Sequence, residues 1–102
     1  MLRSDCAKKS SSAYHLILFV AGDETNSRLA KTNIQQVCDS ELSGNCNLII
    51  VDVLEDFQAA ARNNILVTPT LLVCKPEPGA TVIGNLSDRK KLRAALGLNG
   101  DR

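Results

Sequence analysis

The chain has 102 residues, with 12 basic and 11 acidic side chains and a net charge of +1. That length supports one domain burying roughly two-thirds of its unfolded surface. The balanced charge lacks the clustered basic face that tracks phosphates, so no nucleic acid is expected as a partner.

Residues 1–13 contain no apolar core of the signal-peptide kind and read as a disordered N-terminal tail. No stretch reaches transmembrane length, so no membrane partner is expected and a cytoplasmic location is the default. Tyr14-His15-Leu16-Ile17-Leu18-Phe19-Val20-Ala21 is a nearly continuous apolar run of strand length, closed by Gly22. Such a run suits a central strand buried on both faces. Asp23 to Ser27 is a polar loop offering Asn26 or Ser27 as a helix cap. From Ser27 to about Leu42 the apolar positions Ala30, Ile34, Val37, Cys38 and Leu42 recur on one helical face. Asn47 to Leu54 reads as a second buried strand.

Residues 56–64 predict a short helix, with Glu55 or Asp56 complementing its N-terminal dipole. Residues 65–74 read as a loop entering a buried strand, with the proline of Thr68-Pro69 at the junction and that step a cis-peptide candidate. Lys75-Pro76-Glu77-Pro78-Gly79 is a turn, Ala80 to Ile83 a hairpin partner, and Ser87 a cap for a last helix over 88–96 that Gly97 ends. Residues 99–102 read as a frayed end. The order β-α-β-α-β-β-α, with one right-handed parallel unit and one hairpin, defines an α/β single domain over 14–98 of the thioredoxin-like kind.

Cys6, Cys38, Cys46 and Cys74 are separated by 32, 8 and 28 positions, without a C-x-x-C. Neither a redox pair nor a zinc half-site is present, and four reduced thiols are expected. Thioredoxin-type exchange needs a low-pKa cysteine where the helix begins after the first strand. Here that loop reads Gly22-Asp23-Glu24-Thr25-Asn26-Ser27. Ser27 has no histidine base and reads as a cap; Cys38 reads as core, and a reactive Cys74 is a minor alternative. Asp52 reads either as an acid beneath the site or as a strand-end bracket. No enzyme activity, metal or cofactor is expected.

Phe19-Val20-Ala21-Gly22, Asn26-Ser27, Asp52-Val53-Leu54, Ile65 to Leu71 and Ile83 to Asp88 resemble, in order and spacing, the KaiB family of bacterial clock proteins. The resemblance spans about Tyr14 to Leu98. It implies a non-enzymatic protein that binds the ring-shaped ATPase KaiC, with KaiA or a sensor kinase carrying a KaiB-like domain as further partner or competitor. It also implies two folds: a monomeric thioredoxin-like state and a resting state, β-α-β-β-α-α-β, often tetrameric. The resemblance places the partner surface at Asn47, Ile49, Phe57, Gln58, Ala61 and Asn64. Fold-switch candidates are Pro69, Ala95 and Gly97; Ala95 stands where the family usually has Gly, and Gly97 where it usually has Asp. Alanine inside a helix is favoured over glycine by about 1 kcal/mol, so this member is expected in the thioredoxin-like form. The shortened proline turn, Asp56-Phe57 in place of Asn-Pro, and the lack of an acidic C-terminal extension suggest a clock-related or stress-response relative rather than a core timer. An orphan thioredoxin-like adaptor or sensory domain is the alternative.

Overall fold

The computed structural model describes residues 13–42 and 45–98. The expected tail (apart from exposed Ala13) and the frayed end over 99–102 lie outside them. The elements are β1 (Tyr14–Val20), α1 (Thr25–Glu41), β2 (Cys46–Asp52), α2 (Phe57–Arg62), β3 (Thr70–Lys75), β4 (Ala80–Ile83) and α3 (Arg89–Ala95). This is the expected order. The sheet runs β2-β1-β3-β4, with β1 and β2 parallel and the other pairs antiparallel.

The apolar run of β1 is central, and His15 to Val20 are all buried. Leu16, Leu18 and Val20 join Ala30, Ile34 and Val37 of α1 and Leu92 of α3 in the larger core cluster. Ile17 and Phe19 point to the other face and meet Ala59, Leu72 and Cys74. The alternation follows from the period of two along a strand. The core is aliphatic but for Phe19, the aromatic side chain fully buried within it.

Several boundaries differ from expectation. Strand β2 is an edge strand rather than a second buried one, leaving Ile49 and Ile50 exposed on opposite faces. Apolar content alone does not distinguish an edge from a centre. Strand β3 starts at Thr70, directly after the Pro69 junction, because Pro69 has no N–H for the ladder. The Pro69 carbonyl does accept from Gly84 N at 2.9 Å, and the Thr68–Pro69 peptide is cis. Asp88, not Ser87, caps α3, accepting from Lys91 N at 3.1 Å. Cys74 is buried and disulfide-bonded, which corrects the expectation of four reduced thiols and of a reactive Cys74. Spacing along the chain carries no information about such tertiary pairing.

Both short helices end in the same way. In α3, Gly97 lies in the left-handed region with φ +77°, Gly97 N donates to Ala94 O and Leu98 N to Arg93 O. In α2, Asn64 takes that place with φ 58°, donating to Ala61 O while Ile65 N donates to Ala60 O. These paired bonds satisfy the last carbonyls of each helix. Gly97 therefore stops α3 as its composition predicts, and Ala95 lies within the helix, half-buried against the larger core.

Left-handed backbone is the reason Asn64 is tolerated where most side chains are strained. We expect Asn64→Val to cost about 1–2 kcal/mol and Asn64→Gly to be close to neutral, read from urea unfolding midpoints at constant slope.

Candidate functional site

The carboxyl ends of β1 and β2, the start of β3 and the end of β4 meet at one end of the sheet, since Phe19 pairs with Thr70 and Thr70 with Ile83. In open α/β sheets, ligands gather outside such strand ends. The first turn here has Gly22 at φ +56°. A Cβ on Gly22 would lie 3.1 Å from Leu54 Cδ1, so the β1–α1 and β2–α2 loops approach closely. One carboxylate oxygen, Asp52 Oδ1, accepts from both Gly22 N and Leu54 N at 3.0 Å. Asp52 is thus the strand-end bracket of the two sequence readings.

Ser27 is not the cap of α1. The helix begins two residues earlier, at Thr25, after Glu24, whose side chain makes no capping bond. Ser27 is fully buried, and its hydroxyl accepts from Ala21 N at 3.1 Å, holding the β1–α1 turn from inside. Asn26 and Asn33 brace the other side: Asn85 Nδ2 donates to Asn26 Oδ1 at 3.3 Å, and Asn33 Nδ2 donates to Asn85 O at 2.8 Å. The Gly84-Asn85-Leu86 segment is therefore a clamp between β4 and α1.

Around this end lies a rim of exposed apolar side chains. Leu54 and Phe57 are each 71% exposed, Leu66 92%, Val67 49% and Ile83 62%. Phe57 is held there because Asp56 caps α2, accepting from Ala59 N at 3.2 Å. Only Ala59 of that helix is buried. Gln58 and Ala61 are exposed on α2, and exposed Asn64 follows its end.

The six residues expected to meet a partner do not all fall together. Phe57, Gln58, Ala61 and Asn64 border the rim. Asn47 lies near the opposite end of β2, where its amide donates to His15 Nδ1 at 3.1 Å, so it is engaged inwards. Ile49 lies midway along the edge, on the sheet face that carries Ile17. The rim also holds Leu54, Leu66, Val67 and Ile83, which the sequence reading does not name as partner residues. The first three sit among apolar residues that resemble strand interior, and only the break at Pro69 marks 65–67 as loop.

The geometry is that of a thioredoxin-like domain in which the loop facing the cis proline end carries Gly22-Asp23-Glu24 and no cysteine. Solved structures agree. Chloroplastic thioredoxin z superposes with a TM-score of 0.75 at 18% identity, covering 93% of this chain and 86% of that one. The N-terminal domain of Synechococcus elongatus SasA superposes with a TM-score of 0.69 at 18% identity, covering 93% of each. At the level of sequence, the KaiB domain model matches residues 17–98. The chain is 41% identical over 85 residues to the circadian clock oscillator protein KaiB of Prochlorococcus marinus strain NATL2A, covering 83% of this chain and 79% of that protein. The KaiB of Trichodesmium erythraeum is 40% identical, with 83% and 82% covered. The chain belongs to the KaiB family.

Two charge-assisted bonds on one oxygen make Asp52 the main tie at this end. Asp52→Ala is expected to lose about 1–3 kcal/mol and Asp52→Asn, which keeps an acceptor, less than half of that, measured by chemical denaturation.

Proposed function

We propose that this protein acts by binding, as a cytoplasmic regulator of a KaiC-type ATPase ring in a circadian clock. Membership of the KaiB family over residues 17–98 carries the reading. The similar proteins are named circadian clock oscillator proteins, which favours a clock role over the stress-response role suggested by the altered turn and helix opening. The likeness in fold to the SasA N-terminal domain supports the sensor kinase as a competitor for the same ring. KaiA is the further partner in this scheme, recruited once the ring is occupied.

The surface proposed for the ring is the apolar rim with α2: Leu54, Phe57, Leu66 and Val67, extended by Gln58, Ala61 and Asn64. Exposed apolar groups of this size on a small domain are costly unless they are used in contact. An aromatic anchor flanked by aliphatic side chains is the composition of interface centres. Ile49 lies further along the edge and is an outlying contact; Asn47 takes part through the position of β2. The form that binds is the thioredoxin-like one, with α2 and α3 helical, and it is monomeric when free. Pro69, Ala95 and Gly97 mark the segments that a resting tetramer would have to rebuild.

Light scattering after size exclusion, with the ring and ATP, tests this reading. The wild-type chain is expected to elute with the ring. Phe57→Asp and Leu66→Asp should each weaken binding about tenfold or more, a loss of at least ~1.4 kcal/mol. Neither should shift the unfolding midpoint much, because both side chains are exposed. A ring that never retains the wild-type chain overturns the proposal.

A further inference from the structure

A second chemical feature lies away from the rim, where α1 ends and β2 begins. Cys38 is in the last turn of α1 and is buried; Cys46 is the first residue of β2 and is half-buried. Both thiols are free, and their Sγ atoms are 2.6 Å apart. A disulfide bond is about 2.05 Å long, so the two sulfurs need to close by only about half an ångström. The approach is built into the backbone. Leu42 N donates to Val37 O, Asn45 N to Leu42 O and Tyr14 N to Asn45 O, which fixes the helix end against the strand start. Cys46 is paired with Tyr14 in the ladder and points to the same sheet face as the larger core, where Cys38 is seated.

We propose that Cys38 and Cys46 are an oxidisable dithiol, whose substrate is a small-molecule disulfide and whose product is an intramolecular disulfide joining α1 to β2. The two sulfurs have different roles. Burial raises the Cys38 thiol, and its hydrogen bond to Cys46 raises it further. Burial also raises Cys46, but the hydrogen bond from Cys38 opposes that rise, while Asp39 adds to it. Cys46, the more exposed and the one whose thiolate receives a donor, is the attacking sulfur. Its thiolate attacks one sulfur of the small disulfide; that S–S bond breaks, a thiolate leaves and a mixed disulfide forms on Cys46. Cys38 then loses its proton and attacks Cys46 Sγ, expelling the second thiolate. Two cysteine thiols are oxidised and one disulfide is reduced to two thiols, the two cysteine protons passing to the leaving groups.

Trypsin isolates the site cleanly. Cleavage after Lys31 and Arg62 releases residues 32–62, which contain Cys38 and Cys46 and no other cysteine. The protein is equilibrated in mixtures of oxidised and reduced glutathione, then denatured, alkylated, digested and weighed. The expected product is a peptide lighter by two hydrogens and resistant to alkylation. At one glutathione ratio the disulfide-to-dithiol ratio should be higher by about tenfold or more in the folded chain than in the chain equilibrated in urea. Cys38→Ser should trap one glutathione on Cys46, whereas Cys46→Ser should leave Cys38 unmodified. A wild-type peptide carrying two alkyl groups or two glutathiones, or equal oxidation in folded and unfolded chains, overturns the proposal; this readout needs no substitution.

Discussion

Burial of β1 on both faces is the constraint from which the architecture follows. His15 to Val20 have no side turned to water. Helices α1 and α3 pack on one face; on the other, Ala59 of α2 packs against Ile17 and Phe19, with Leu72 and Cys74 of β3 beside them in the sheet. A strand buried in this way must also be flanked on both edges, because its N–H and C=O groups have no water to pair with. The parallel partner β2 and the antiparallel partner β3 supply those bonds. Asp52 and Ser27 then anchor the turn that leaves β1, from the end of β2 through Gly22 N and from inside α1 through Ala21 N.

The same end of the sheet separates this protein from the thiol enzymes whose fold it has. The position of the attacking cysteine is taken by a glycine turn beside two carboxylates, and the nearby exposed surface is apolar. Among the described residues the cysteines lie elsewhere: Cys74 in a disulfide, and the free thiols of Cys38 and Cys46 side by side within the βαβ unit.

Much of this is legible in the residues. The β1 run, the helical spacing from Ala30 to Leu42 and the glycine after α3 each carry a local physical signal strong enough to survive folding. The illegible part depends on contacts between distant segments. Nothing in Cys46-Asn47-Leu48-Ile49-Ile50 marks it as an edge, and the spacing of eight from Cys38 to Cys46 does not show that helix phase and strand face bring the sulfurs together. Ser27 is a cap by residue type alone; the helix begins earlier, and its hydroxyl turns inward to the end of β1. Leu54, Leu66 and Val67 look like core by composition, and only the positions of the loops turn them outward.

The sheet divides the core unequally. The cluster under α1 and α3 has 14 buried residues, whereas the one under α2 has five among the described residues, and α2 contributes only Ala59. Opening a segment costs least where it buries least. Among the described residues, 53–69 are therefore expected to open from the sheet more readily than the segments under α1 and α3, an order that amide hydrogen exchange reads. They also carry four of the five rim side chains. In the proposed binding reading, partner contact and local melting draw on one stretch of chain, so a partner that grips the rim would also set how often that stretch lets go.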